Sequence, residues 1–372
     1  MKRVGIFGGT FDPAHNEHVS LAKSAIEELS LDSLYVVPTF IPPHKKSYTP
    51  AADRLAMTKI AFSGLKKVTV SDVEIKREGK SYTYFTVEEI KKENKDAELF
   101  LLVGTDMLCD FFTWKNPEGI LLNCTLVCAG REGETVPDGF REEFIKRFGK
   151  DYRTLNFSGK EVSSTKIRAL ISLGLSASEY IPKEEEEYIV KRGLFSDVYS
   201  DYVKEKLPEK RKIHTVGVIE SAVKLAKRVG VDVEKARITA TLHDCAKYEI
   251  KEDFPNFSMP TSVPPPVEHA FLGAYIAEHV LGVKDEEIIN AVRYHTSGRA
   301  EMTDLEKVIF VADMIEENRV YDGVERLRNA VEKDFNSGFL LCLKEETEHI
   351  IKKKGPIYEK TIEAFNYYIK GE

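Results

Sequence analysis

Over residues 1–160, short apolar runs alternate with stretches of helical period. Val4, Ile6 and Phe7 form a strand-like run that ends in Gly8-Gly9. Val19, Ala22, Ala25, Ile26 and Leu29 then recur at three- and four-residue spacing, which predicts one buried helix face. Leu34–Val37 reads as a second strand. Thr49-Pro50 predicts a helix start, with a capping hydroxyl and a proline in the first position. Val68 and Val70 predict a strand, Tyr84–Lys92 a helix, and Leu99–Val103, Cys124–Ala129 and Arg153–Phe157 further strands. Glu184–Lys191 reads as a charged helix with a solvated face, closed by Gly193. Strands alternating with helices imply right-handed crossovers and a parallel sheet. Such sheets bind ligands beyond the carboxyl ends of their strands. Gly8-Gly9, Pro38 onward, Gly104-Thr105-Asp106 and Gly130-Arg131 fall at those ends.

Near Phe195 the pattern changes to helices alone: Val216–Val229, Val233–His243, His269–Val280, Asp285–Arg293, Leu305–Glu316, Gly338–Lys352 and Ile357–Ile369. The Pro255–Pro266 stretch reads as a loop between two of them. The expected fold class is therefore α/β followed by all-α, a doubly wound parallel sheet and then a helical domain, divided as 1–195 and 196–372. A length of 372 residues agrees with two domains. Apolar content of 42% and charged content of 31% are those of a soluble globular protein. A net charge of −7 argues against a general nucleic-acid binder. There is no apolar run of about 18 residues to span a membrane, and MKRVGIFGG reads as a strand rather than a signal peptide. The five cysteines lack CxxC spacing, as expected of reduced, buried thiols in the cytoplasm.

Candidate chemistry in the first half centres on Val4–His18, VGIFGGTFDPAHNEH. Glycines let backbone approach a ligand closely, and a helix N-terminus suits phosphate. His15 and His18, three apart, point the same way on a helical turn. Two imidazoles beside phosphate can stabilise charge that grows during nucleotidyl transfer. Val162–Arg168 starts a second helix, whose Ser163, Ser164 and Thr165 hydroxyls and Arg168 make a phosphate cradle. These strings resemble the (H/T)xGH nucleotidyltransferases, and in particular the GGTFDPxHxGH form of bacterial nicotinate-mononucleotide adenylyltransferases. Four more segments are similar: Pro42-Pro43-His44-Lys45, Ser81–Thr86, Gly104-Thr105-Asp106 with Trp114-Lys115, and Ser163–Arg168. One position departs, because Glu17 stands where the family has glycine between the histidines.

The resemblance implies a Rossmann-like domain that transfers AMP from ATP, with Mg²⁺ on the triphosphate, to nicotinate mononucleotide. It assigns His15 and His18 to the triphosphate and Thr10 to the α-phosphate region, with Gly8, Gly9, Phe11 and Asp12 around them. Lys45, Ser164 and Arg168 meet phosphate charge, and His44, Arg131, Ser163 and Thr165 belong to the same ATP-binding set. Thr83 and Tyr84 lie near the pyridine ring, with Thr86, Gly104, Thr105, Asp106 and Trp114 also contacting the nicotinate nucleotide.

In the helical half, His214, His243-Asp244, His269, His295 and Asp313 recur in the order H, HD, H, H, D. Imidazole and carboxylate suit divalent first-row metals. The order resembles the HD-domain phosphohydrolases. Ile213–Thr215, Leu242–Lys247, Arg293–Gly298 and Val311–Asp313 are similar to the YqeK group, which is linked to diadenosine tetraphosphate hydrolysis. That resemblance implies one metal on His214, His243, Asp244 and Asp313. A second sits on His269 and His295, with Asp244 bridging and iron or manganese expected. Lys247 and Arg319 then meet substrate phosphate, Lys247 as a catalytic residue; His279 and His349 match no motif. Two metals can clamp both oxygens of an in-line displacement.

The expectation is a cytoplasmic, bifunctional enzyme whose partners are ATP, nicotinate mononucleotide and a dinucleoside polyphosphate, without nucleic acid or membrane; a homodimer is left open. The rivals are a pantetheine-phosphate adenylyltransferase for the first half, and, for the second, an HD half acting on another nucleotide or serving as a nucleotide-binding regulatory module.

Overall fold

The computed structural model describes residues 1–41, 49–131, 136–159 and 162–369. They divide into two compact units: Met1–Ile167 with Ala177–Leu194, and Arg168–Ser176 with Phe195–Glu372.

The first unit runs β1 (Arg3–Gly9), α1 (Asn16–Glu28), β2 (Ser33–Pro38), α2 (Ala51–Ala61), β3 (Val68–Val70), α3 (Val73–Arg77) and α4 (Thr83–Glu93). It continues with β4 (Glu98–Gly104), α5 (Thr105–Cys109), α6 (Pro117–Asn123), β5 (Thr125–Arg131), α7 (Phe140–Phe148) and β6 (Arg153–Gly159). Helix α8 (Ser164–Ser172) spans the division, and α9 (Lys183–Arg192) completes the first unit. The strands are parallel in the order β3-β2-β1-β4-β5-β6. This doubly wound order reverses between β1 and β4, the point at which such sheets bind ligands. Alternate residues separate onto the two faces. Ile6, Leu99 and Leu101 enter one core, and Phe7, Phe100 and Leu102 enter the other.

In this unit the sequence pattern missed α3, α5, α6 and α7, all of them short. Two other expectations are corrected. Thr49 does not cap α2; Pro50 occupies the N-cap position and makes no side-chain cap bond. Nor is α9 simply solvated, since Glu185 and Ile189 are both fully buried. The left-handed Gly193 does end it, at φ 62°.

The second unit is helical: α10 (Val198–Lys206), α11 (Glu209–Val229), α12 (Val233–Leu242), α13 (Pro265–Tyr275), α14 (Glu286–Tyr294), α15 (Asp304–Ile315), α16 (Val324–Lys333), α17 (Phe335–Lys352) and α18 (Glu359–Ile369). Its core gathers Val218, Ala222, Ala240, Leu242, Ile289, Val308 and Val311. These belong to α11, α12, α14 and α15, the helices that carry or adjoin most of the histidine and aspartate motifs. Among the described residues no helix is long and apolar enough to cross a membrane.

Candidate functional sites

At the first site, the turn after β1 delivers the histidines. Phe11 has a left-handed backbone, φ 49°. A Cβ on Gly9 would fall 2.9 Å from its ring, so the turn needs glycine there. Gly8 has no atom within 4 Å of such a position, which leaves open space for a ligand. His15 is the N-cap residue of α1, in extended conformation. The His15 and His18 rings lie 3.7 Å apart between centroids, 30° from parallel. Nδ1 of His18 accepts the His15 backbone N–H at 3.2 Å. In the neutral ring the proton is then on Nε2, a donor suited to a phosphate oxygen. Phe11 packs against the His18 ring at 5.1 Å and helps hold it. Asp12 is buried beside this turn.

Ser163 Oγ accepts from the Lys166 N–H at 3.1 Å, the expected cap of α8. Ser164 Oγ donates to the Pro13 carbonyl at 3.1 Å. The α8 start is thereby tied to the turn that carries Thr10 and the histidines. Thr165 follows on α8, and Arg168 lies half-buried on it, just past the division between units. Glu17 turns toward the end of β6: its Oε2 lies 2.9 Å from where a Cβ on Gly159 would be.

On the other side of the switch point, Gly104 caps α5. Asp106 Oδ1 accepts its neighbour Met107 N–H at 2.8 Å, and Thr105 is buried next to Gly130. Thr83 opens α4. The Tyr84 hydroxyl donates to Glu88 at 2.7 Å. Trp114 packs on Phe111 at 5.2 Å, and Lys115 Nζ stands 4.5 Å over the Tyr82 ring. Thr86 is buried, and its hydroxyl donates to Glu74 and accepts from Arg77 at 3.0 Å. Its hydroxyl is thus engaged in a network with Glu74 and Arg77. Burial pushes the Glu74 carboxyl up against those hydrogen bonds. His44 and Lys45 lie outside the described residues, and of Arg131 only the backbone, ending β5, is described.

At the second site, the six expected ligands fall into two groups, His214 with His243 and Asp313, and Asp244 with His269 and His295. Within the first, His214 Nε2 is 3.0 Å from Asp313 Oδ1 and 3.3 Å from His243 Nε2. Within the second, His269 Nε2 is 3.1 Å from Asp244 Oδ1 and 3.3 Å from His295 Nε2. Asp244 Oδ2 lies 3.8 Å from His243 Nε2, so one carboxylate faces both groups. Donors about 2.1 Å from one ion, at tetrahedral or octahedral angles, stand roughly 3.0–3.4 Å apart, and the shorter separations match.

The local folding explains the aim of the rings. His243 and His295 each follow the last turn of a helix, α12 and α14. Each turns Nδ1 back to the carbonyl three residues earlier, Ala240 at 2.6 Å and Val292 at 2.8 Å. His214 turns Nδ1 to Glu316 Oε1 at 3.0 Å. With Nδ1–H donated outward, Nε2 of each faces the cluster as an acceptor, the arrangement expected of metal-binding histidines.

Electrostatics agree at His243, His269 and the two aspartates; at His214 burial lowers the pKa, but Asp313 and Glu316 outweigh it and raise it. Burial holds His243 neutral, with its pKa lowered to about 3. Burial also lowers His269. Burial pushes the Asp244 carboxyl up, but His243, His269, His295 and Lys247 outweigh it and hold it well below the usual carboxylate range. Asp313 is lowered likewise by His214 and Arg319. Neutral imidazoles with ionised carboxylates are the forms that bind a cation. The residues therefore fit a divalent metal at each group.

Cations ring the carboxylates. Lys247 Nζ is 3.5 Å from Asp244 Oδ1 and 3.1 Å from His269 Nε2. Arg319 bonds the Asp313 carboxylate and donates Nε to its carbonyl at 2.8 Å. Arg211 reaches Asp244 Oδ2 at 2.9 Å. Sequence reasoning missed Arg211, Glu316 and Thr296, whose hydroxyl is 3.0 Å from His295 Nε2. Arg211 precedes His214 by three positions and Glu316 follows Asp313 by three, the helical spacing that could have found them. His279 stacks on Tyr275 at 4.4 Å, and His349 is exposed. Neither belongs to a metal-binding group among the described residues.

Comparison with known proteins follows the same division. A cytidylyltransferase-like family matches residues 6–170, and the HD domain matches residues 211–318. A probable nicotinate-nucleotide adenylyltransferase of Clostridium tetani is 36% identical over 52% of this chain and 100% of its own. A symmetrical bis(5'-nucleosyl)-tetraphosphatase of Bacillus subtilis is 42% identical over 45% of this chain and 95% of its own. The chain belongs to both families, one in each half. A Mycoplasma genitalium protein, described as a probable nicotinate-nucleotide adenylyltransferase/Ap4A hydrolase, is 29% identical over 92% of this chain and 97% of its own. The pairing of the two families in one polypeptide therefore has a precedent.

Proposed function

We propose that the chain is a bifunctional nucleotide enzyme with domains 1–195 and 196–372. The first domain transfers AMP from ATP to nicotinate mononucleotide, and the second hydrolyses diadenosine tetraphosphate symmetrically to two ADP. In the first reaction the mononucleotide phosphate attacks the α-phosphorus of Mg²⁺-bound ATP in line, and the bond to the leaving pyrophosphate breaks. Catalysis there is positioning and charge neutralisation. His18 donates from Nε2, His15 stacks beside it, and the backbone N–H groups at the α8 start, with Arg168 further along that helix, meet phosphate. What supports this is the stacked histidine pair at the mouth of α1.

For the second reaction, the observation that carries the reading is that both ligand groups meet at Asp244. Two divalent ions held there, iron or manganese, would supply an activated water and neutralise phosphate charge. Asp244 would bridge them, with His214, His243 and Asp313 on one side and His269 and His295 on the other. Lys247, Arg211 and Arg319 would hold phosphate oxygens.

The test is to incubate the protein with ATP and either nicotinate or nicotinamide mononucleotide. In parallel it is given diadenosine tetraphosphate with Mn²⁺, Fe²⁺ or Mg²⁺, and the products are separated by chromatography. Deamido-NAD with pyrophosphate, favoured over the amide product, and ADP as sole nucleotide from the tetraphosphate are expected. AMP plus ATP would overturn the symmetrical cut. Failure to use either mononucleotide would overturn the first reaction.

A further inference from the structure

Arg54 is an arginine placed where a charge is costly. It sits on α2, 1% exposed, the largest of the fully buried side chains. Its partners are three backbone carbonyls, one from the connection after β1 and two from the β2–α2 connection. Nη1 donates to the Thr10 carbonyl at 2.8 Å, Nη2 to the Phe40 carbonyl at 2.9 Å, and Nε to the Thr49 carbonyl at 3.1 Å. Nη1 also lies 3.5 Å from Thr39 Oγ1. Among the described residues no carboxylate comes within ion-pair distance of it; Asp12 and Glu74 act on it only from farther off.

The first two partners belong to the loops that leave β1 and β2, and the third lies just before α2. Only arginine offers donors in a fixed planar fork that can serve several such acceptors at once. Across a trans peptide the C=O and the next N–H point opposite ways. With the Thr10 carbonyl turned to Arg54, the Phe11 N–H is turned away from it. The Phe40 carbonyl fixes the Ile41 N–H in the same manner. The helix that carries Arg54 is itself anchored, because the neighbouring Asp53 accepts from Tyr188 at 2.7 Å and from Arg192 Nε at 2.9 Å, both on α9. The guanidinium thus sets the backbone of the turn that leads into His15 and His18, and lends a buried positive charge beneath it.

We propose that Arg54 is a positioning residue for the ATP triphosphate, acting through the Thr10 and Phe40 carbonyls. It rests on the proposed adenylyl transfer for the identity of the nucleotide. The experiment measures Mg²⁺–ATP affinity of the full chain by calorimetry, so it reads ATP binding whether or not nicotinate mononucleotide proves to be the acceptor. Arg54→Lys, which keeps the charge and loses the fork, should weaken ATP by about tenfold, the worth of a hydrogen bond to a charged group. Arg54→Met should weaken it further, while KM for nicotinate mononucleotide stays within about twofold. Hydrogen exchange gives a second reading that does not depend on Arg54→Met folding. In the wild type, ATP should protect the amides around Thr10 and Phe40 together, and in Arg54→Lys that joint response should separate. Unchanged ATP affinity in either folded variant would overturn the proposal. So would an equal rise in KM for both substrates, or a wild type in which only one of the two loops responds. A wild type that binds ATP and shows the Arg54 dependence but uses another acceptor would refute the nicotinate reading alone.

Discussion

His269 presents Nε2 to Oδ1 of Asp244 at 3.1 Å, whereas the nearest Asp244 oxygen to His243 is Oδ2, at 3.8 Å. His269 therefore belongs to one side of a shared carboxylate. His269→Ala should remove or weaken one bound ion and leave the other on His214, His243 and Asp313. Elemental analysis of the dialysed protein should fall from two ions per chain to one, and kcat for hydrolysis should drop more than KM rises. Loss of both ions together would show a single interdependent centre.

Glu316 aims His214, and Gly217 makes room for Glu316. A Cβ at Gly217 would lie 2.1 Å from Glu316 Oε2, which already accepts the Asn318 N–H at 2.7 Å. Glu316→Gln and Gly217→Ala should each weaken the first ion, by roughly 10–100-fold for loss of such a supporting bond. The second ion should stay. Competition with a metal chelator reads both affinities; equal weakening of the two ions would argue for general loosening of the fold.

The two activities should separate. His18→Ala removes the Nε2 donor of the first site and nothing in the second, so adenylyl transfer should vanish and hydrolysis persist near wild type. His243→Ala, buried in the second unit, should do the reverse. Assays of both reactions on each folded variant decide it, and loss of both activities from one change would contradict two independent sites.

Glu17 replaces a family glycine, and its Oε2 points to Gly159 on β6. It also lies in the first turn of α1, where a carboxylate favours the helix dipole. Glu17→Gly should leave KM for ATP within about twofold. A large fall in KM would mean that the carboxylate crowds the phosphates.

Much of this was legible in the sequence because its signals are periodic. Ile6, Leu99 and Leu126 mark strands by apolar runs, and the parallel order follows from alternation with helices. His214, His243, Asp244, His269, His295 and Asp313 were legible as a set because metal chemistry permits few residue types. What escaped is set by tertiary partners. Nothing local shows that Thr86 spends its hydroxyl on Glu74 and Arg77. Arg54 looks like any helical arginine until two loops converge on it. Glu185 sits in a run of glutamates whose neighbours Glu184 and Glu187 are exposed or nearly so, and only the packing of α9 selects which of them is buried.

That buried glutamate makes stability pH-dependent. Glu185 is 0% exposed, and neither carboxyl oxygen has a hydrogen-bond partner among the described residues. Burial raises its pKa from 4.5 to about 9, so the folded protein holds a proton there that the unfolded chain releases. Between those values the native state binds more protons than the unfolded state, and stability falls as pH rises. The contribution is neutral below pH about 4.5 and costs on the order of 3 kcal/mol by pH 7. It continues to grow toward pH 9, where the native carboxyl itself ionises. Glu185→Gln keeps the shape and removes the titration. Its unfolding midpoint should match wild type near pH 4.5 and exceed it by a widening margin from pH 5 to pH 8. Thermal melts of both proteins across that range provide the measurement. Parallel curves would show that the wild-type carboxylate finds a partner or water on ionising, and that the fold carries no such proton.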